Sequence, residues 1–298
     1  MNPPAQQPEV AVVIVNYRRT GDTLECLQSL VQSASVRLRI TVVDNGSGDD
    51  SVEQISSAYP EITLLSLHEN LGFAGGYNAG IKQALEQGAE YIFLLNNDTT
   101  IDPQAVNTLV HTGWDAGVPK ILYHSRPNVI WAAGCRWRSL PPSVAMNGLG
   151  KPDSTKFDKP HQLEYATGCA LMVRRAVLET THGFDRDLEN YMEDYDFCYR
   201  LRKAGYSMGY VPEARVWHKV SQTLGEYSPE RWKHQGKNTV LFYQKGNRFP
   251  LWWLWIFLGW VSLREALKGH WSILPAFWSG IQQGFQILKK MNNQADGW

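Results

Sequence analysis

The sequence predicts an α/β protein, with a mainly parallel central sheet, helices on both faces and a helical segment at the C-terminus. Two observations carry this. Val10–Val15, Ile40–Val43 and Tyr91–Leu95 are short, nearly uninterrupted apolar runs, the pattern of strands covered on both faces. Between them the apolar period becomes helical, as at Leu24, Leu27, Leu30 and Val31, and strands alternating with helices assemble as parallel βαβ units.

Taken in order, Val10–Val15 opens the sheet and residues 21–33 form the first helix. Ile40–Val43 is the second strand, closed by the turn-forming run Asp44-Asn45-Gly46-Ser47-Gly48. A short helix over Val52–Ala58 and a third strand over Ile62–Leu67 follow. The glycine-rich stretch Gly72–Gly80, which is not GxGxxG, is expected as a tight turn into a helix over 78–87. Tyr91–Leu95 is the fourth strand, closed by Asn96-Asn97-Asp98, and a helix begins near Asp102-Pro103. Val129–Ala133 and Cys169–Val173 are further strands, separated by a Pro- and Gly-rich loop from Leu140 to Pro160 that is expected to be mobile and near a site. A helix over 195–204, stopped by Gly205, precedes an edge strand over 211–217.

Composition excludes several classes of function. Of 298 residues, 43% are hydrophobic and 19% charged, which suits a globular chain and not a disordered tail or fibre. Lys and Arg number 29 against 29 Asp and Glu, so bulk nucleic-acid binding, which needs excess cations, is excluded. The balance hides a division: residues 1–196 carry 15 basic and 24 acidic side chains, residues 197–298 carry 14 and 5. Four scattered cysteines without a CxxC pair read as thiols of a reduced compartment. Met1-Asn2-Pro3-Pro4 has no apolar run of the signal-peptide kind, and Leu251–Leu263 is too short to span a bilayer. The expected location is the cytoplasm.

Ligands of such sheets sit beyond the carboxyl ends of the strands, where the sequence gathers Asn16, Asp44, Asn78, Asn97 and Asp98. Asp98, held at the mouth of the sheet, suits a divalent cation shared with nucleotide phosphates; equally, Asn97 or Asp98 could cap the helix that follows. Glu193-Asp194, with Asp196, starts a helix. Carboxylates there complement the helix dipole, or one of them serves as general base toward a hydroxyl. His218 is open to a ligand role or to plain packing.

In this order, VVIVNY (12–17), VVDNGSGD (42–49), NLGFAGGYNAGI (70–81), FLLNNDTTI (93–101), the run from Thr167 to Tyr206 and the late His218 resemble the family 2 glycosyltransferases, within them the bacterial rhamnosyltransferase-like branch of surface polysaccharide assembly. The resemblance covers roughly residues 10–245. It implies a GT-A fold, Rossmann-like, over residues 1–245, with a nucleotide-sugar half at 10–116 and an acceptor half at 117–245. It also implies a nucleotide-diphosphate-sugar donor, a glycan or lipid-linked acceptor, Mg²⁺ or Mn²⁺, and inversion at the anomeric carbon. By the same resemblance Asp44 meets the donor's base or ribose, and Asn16, Gly75, Asn78 and Asn97 belong to the donor site. Asp98 and His218 hold the metal, and Asp194, beside Glu193, is the catalytic base. Asn96 departs from a strict DxD motif, which puts a second acidic metal contact in doubt. The rival readings are a nucleotidyltransferase making nucleotide-sugars and a non-catalytic nucleotide-sugar-binding scaffold.

Residues 246–298 form a separate Trp-rich segment. Seven of the 12 Trp lie beyond residue 248: Trp252, Trp253, Trp255, Trp260, Trp271, Trp278 and Trp298. Leu274, Phe277, Trp278, Ile281, Phe285 and Leu288 follow a helical period. Three seats are open to this segment: the interface of a membrane's inner face, the catalytic domain, or a second copy in a homodimer.

Overall fold

The computed structural model describes residues 9–33, 36–220, 227–245 and 248–295; Met1–Pro4 and Trp298 lie outside them. In chain order the first half comprises β1 (Glu9–Asn16), α1 (Thr20–Val31), β2 (Arg37–Asp44), α2 (Ser51–Ala58), β3 (Thr63–Ser66), α3 (Gly72–Glu86), β4 (Tyr91–Leu95), β5 (Thr99–Ile101) and α4 (Ala105–Val110). Then come β6 (Ala116–Tyr123), β7 (Arg126–Ala132), β8 (Cys135–Ser139), β9 (Pro142–Met146), β10 (His161–Gln162), β11 (Ala170–Arg174), α5 (Arg175–Thr181), α6 (Glu193–Lys203) and β12 (Met208–His218). Three helices close the chain: α7 (Pro229–Gln244), α8 (Leu251–Leu267) and α9 (Leu274–Ala295).

The large sheet runs β10-β12-β6-β11-β4-β1-β2-β3, with β5 added to β12 and β7 to β6. Strands β4, β1, β2 and β3 are parallel, while β11 enters antiparallel between β4 and β6. Because β2 and β4 flank β1 on opposite sides, the order reverses there and opens a crevice at the strands' carboxyl ends. Val10, Val12 and Ile14 pack into one core layer, Ala11 and Val13 into the other, as period-2 side chains of a doubly covered strand must.

Four expectations need correction. The glycine-rich stretch is no turn: α3 already starts at Gly72. Its glycines let the helix lie against β1, since a Cβ at Gly80 would fall 2.3 Å from Val13 Cγ1; close approach overrides weak helix propensity. The strand over 211–217 is not an edge strand, because β12 pairs with β6, β10 and β5. The loop from Leu140 to Pro160 contains β9, paired to β8 as a hairpin. It is also anchored: the fully buried Lys120 ammonium reaches Asp153 at 2.8 Å and Asp158 at 2.5 Å. Finally, the turn before α4 is capped by Asp102, whose carboxylate accepts the Gln104 N–H at 2.9 Å, so Asp98 is not that cap.

The C-terminal helices share the main core. Phe257, Phe277 and Ile281 belong to the same apolar cluster as β1 and β4 residues. Helix α9 lies against α7 at glycine contacts, where a Cβ at Gly280 would meet Lys233 O at 2.0 Å. Helix α8 turns Leu254, Phe257, Leu258 and Val261 inward. Its outer face is apolar too: Trp252 is 60% exposed, Trp255 47%, Leu263 60% and Leu267 80%. No helix among the described residues is long and apolar enough to cross a membrane.

Candidate active site

The crevice begins with a chain of polar groups across the carboxyl ends of β1, β2 and β4. Asn97 Nδ2 donates to Thr23 Oγ1 at 3.0 Å, and that hydroxyl donates to Asn16 Oδ1 at 2.8 Å. Asn16 Nδ2 donates to Asp44 Oδ1 at 2.9 Å and to Ser47 Oγ at 3.3 Å. Asp44 also accepts the Ser47 N–H at 3.1 Å and its hydroxyl at 2.5 Å. Asn16 is 0% exposed and Asp44 2%. Asn16 therefore sits behind Asp44, orienting it, with both amide groups already engaged.

Asn78 and Gly75 sit apart from this chain, on α3. The Asn78 side chain bonds the backbone of Phe184 twice, at 2.8 Å each way, and Gly75 is buried against Leu71. Both are tied up in holding α3 to its neighbours. The amino end of α3 in turn holds the loop before α6: Phe73 N–H donates to Asn190 Oδ1 and Ala74 N–H to Glu189 O.

Asp98 and His218 meet because β5 and β12 pair with Thr99 opposite His218. The Lys219 N–H donates to Asp98 O at 2.9 Å, and His218 Nε2 stands 3.1 Å from Asp98 Oδ1. Trp131 packs edge-on to the imidazole with centroids 4.4 Å apart. His218 Nδ1 is buried with no hydrogen-bond partner among the described residues. A carboxylate oxygen and an imidazole nitrogen fit a divalent cation: adjacent ligands of an octahedral ion at ~2.1 Å lie ~3.0 Å apart. No group of three or more His, Cys, Asp or Glu gathers for a metal among the described residues. The two side chains would therefore share an ion with oxygens from elsewhere, as Mg²⁺ does when it is bound largely through substrate phosphates.

Glu193 and Asp194 open α6. The three preceding positions of unusual backbone are Glu189, Tyr191 and Met192, with φ of 50°, 71° and 68°, a conformation that costs non-glycine residues energy and persists only where neighbours enforce it. The enforcing neighbour is Asn238 on α7, whose amide donates to the carbonyls of Leu188, Asn190 and Tyr191. Asp194 Oδ2 accepts the Gly168 N–H at 3.0 Å and Oδ1 the Tyr195 N–H at 2.8 Å. Desolvation by the surrounding protein nonetheless pushes Asp194 up to about 6. Glu193 is 5% exposed with Oε2 unpartnered; desolvation first, then the charge of Asp194, raises it well above the usual range. Asp196 is engaged by Arg200 at 2.7 Å and by Arg248.

The two carboxylate stations share one corner. Asp194 is fixed to Gly168, and the next residue, Cys169, accepts the Asn96 N–H at 2.8 Å. The Asn96–Asp98 turn and Asp194 are thus both tied to the two residues just before β11. Asn238 and Trp131 carry no local signal in the sequence, because each acts through a contact remote in the chain.

A parallel sheet with an inserted antiparallel strand and carboxylates at the switch point defines the GT-A class. The family model "Glycosyl transferase family 2" matches residues 11–181, and the chain belongs to that family; it is a glycosyltransferase. It is 26% identical over 283 residues to the N-acetylglucosaminyl-diphospho-decaprenol L-rhamnosyltransferase of Mycobacterium tuberculosis, covering 86% of this chain and 91% of the relative. Among solved structures it is similar to GalNAc-T7 with UDP, GalNAc and Mn²⁺, at a TM-score of 0.60 and 14% identity, over 78% of this chain but only 48% of the other. The mannosyltransferase PcManGT of Pyrobaculum calidifontis, in complex with GDP-Man and Mn²⁺, aligns at a TM-score of 0.55 and 17% identity over 98% and 81% of the two chains.

Proposed function

We propose that this glycosyltransferase moves a sugar, of the deoxyhexose kind such as rhamnose, from a nucleotide-diphosphate donor to a glycan or lipid-linked acceptor of surface polysaccharide assembly. The transfer is a single displacement with inversion. The observation that carries it is the corner just described, where Asp194 and the Asn96–Asp98 turn beside His218 are held by consecutive residues, Gly168 and Cys169, just before β11. The acceptor hydroxyl attacks the anomeric carbon, its proton passes to Asp194, and the bond to the diphosphate breaks with its electron pair going to the leaving oxygen. Asp98 and His218 would hold Mg²⁺ or Mn²⁺, whose charge offsets that of a diphosphate. Asp44, oriented by Asn16 and Ser47, faces the donor's base or ribose.

The same reading puts the protein on the inner face of a membrane, held peripherally. What supports it is α8, apolar on both its packed and its open face, beside a C-terminal third with 14 basic against 5 acidic residues. Liposomes that float wild type but not Trp252→Ala/Trp255→Ala agree with this; dimerisation without flotation assigns the face to a second copy instead.

The decisive test of the chemistry is Asp194→Asn. Transfer falls by about 10²–10⁴-fold, the range of a lost general base, while donor binding followed by calorimetry stays unchanged. Near-normal transfer by this variant sinks the assignment of the base.

A further inference from the structure

A cavity of about 440 Å³ lies between the β8–β9 hairpin, the amino end of α6 and helices α7, α8 and α9. Its wall carries Arg138, Arg231, Arg264 and Lys268 against one acid, Glu265. Glu265 is already answered, by Arg264 at 2.5 Å and His270 at 2.8 Å. Arg138, from β8, and Arg231, from α7, have no carboxylate within ion-pair distance among the described residues. Arg231 instead lies over the Tyr191 ring, 5.3 Å from its centroid. Two planar guanidinium groups, brought from different elements to one concave site, suit the oxygens of a phosphate.

The rest of the wall has two characters. Met192 and Tyr195 line it, bracketing Glu193 and Asp194 in the sequence. Trp260 also lines it and is at the same time 36% exposed, so the cavity runs out onto the apolar face formed by Trp252, Trp255, Ile256, Leu263 and Leu267. The lining thus joins the start of α6, two arginines without a carboxylate partner among the described residues, and an open aromatic surface.

We propose that this cavity binds a phosphate-bearing amphiphile: Arg138 and Arg231 hold the phosphate or diphosphate, and the apolar chain leaves past Trp260 along α8. The proposal deepens the functional reading, on which it rests for one point only, that the group beyond the phosphate presents its hydroxyl to Asp194. Binding itself requires no transfer.

The test uses the full chain with EDTA present, so that no divalent ion draws diphosphate to Asp98 and His218. Three probes are titrated by calorimetry: farnesyl diphosphate, inorganic diphosphate and farnesol. Farnesyl diphosphate is expected to bind saturably, with each of the other two about tenfold weaker or more. Arg138→Gln/Arg231→Gln weakens farnesyl diphosphate about tenfold or more at an unchanged melting temperature, whereas Lys82→Gln, an exposed charge on α3, leaves it unaltered. Equal binding by the double variant and wild type overturns the proposal. So does inorganic diphosphate binding as tightly as farnesyl diphosphate, which marks a free-anion site, or farnesol doing so, which marks an apolar one. No sugar donor is present, so failure here strikes this site alone, and failure of the Asp194→Asn experiment strikes the transfer chemistry alone.

Discussion

On the β1–β2 side of the crevice, Asn97, Thr23, Asn16, Asp44 and Ser47 form a chain in which each buried group has a partner. On the α6 side, Glu193 buries a carboxylate oxygen with none, and three residues just before it hold left-handed backbone. A satisfied network is rigid and keeps its shape with or without a ligand. An unpartnered buried polar atom costs about 1–3 kcal/mol, and such costs gather where a site must keep a group ready for something that arrives later. The contrast suits a donor side that is pre-formed and an acceptor side that is held under load by its neighbours, α7 above all.

If α7 carries that load, the largest effect comes from pushing α9 off it. Gly280→Ala sets a methyl 2.0 Å from Lys233 O, a backbone atom that cannot yield cheaply. The expected loss is about 3 kcal/mol, seen as a melting temperature lower by roughly 5 °C or more. An unchanged melting temperature would show that α7 and α9 are free to separate. On the opposite side, Asn16→Ala removes the two donors and one acceptor that order Asp44 and Thr23. The expected cost is about 2 kcal/mol, with weaker donor binding even without metal. A variant as stable as wild type would mean that the chain of polar groups is not the rigid element supposed here.

A smaller, more selective effect is expected at Asp98. Asp98→Ala should weaken Mn²⁺-dependent binding of a nucleoside diphosphate about tenfold or more, equivalent to ~1.4 kcal/mol, and leave metal-free binding unchanged. Equal losses with and without Mn²⁺ would place Asp98 outside cation binding.

The β1–β2 side of the crevice was far more legible in the sequence than the α6 side, for a physical reason. Val10–Val15, Ile40–Val43 and Tyr91–Leu95 announce themselves by local composition, and the polar residues at their ends follow from parallel topology. What escaped depends on who packs against whom. Helix α3 begins among glycines because β1 comes close to Gly76 and Gly80. The alternating exposure of Glu213 and Arg215 in β12 reads as an edge strand, yet alternation reports faces and says nothing of neighbouring strands. Asn238 looks like any polar helix residue until its carbonyl partners, nearly fifty positions earlier, are seen.

The acid side of the pH profile sharpens the comparison most finely. Burial places Asp194 at about 6 in the fold, above the ~3.9 of an exposed aspartate. On the proposed role of Asp194 as base, the carboxylate forms, and transfer rises, only as pH climbs through that value. Stability moves the other way. A carboxyl whose folded value is raised contributes stability that is full below its unfolded value and is lost as pH rises through the folded one. Glu193 is raised beside it and in contact with its charge, so the two titrate as a pair. Asp194→Asn has no charge to lose; whatever its amide costs against the Gly168 or Tyr195 N–H is the same at every pH. Subtracting its stability from that of wild type isolates the titration of the Asp194–Glu193 pair from that of groups away from it. That difference should favour wild type less at about pH 7.5 than at about pH 5, by on the order of 1 kcal/mol, over the interval in which wild-type kcat/KM rises. A difference that stays flat across this interval would mean that Asp194 is solvated like an ordinary surface aspartate, and the contrast between a satisfied donor side and a loaded acceptor side would lose its strongest electrostatic support.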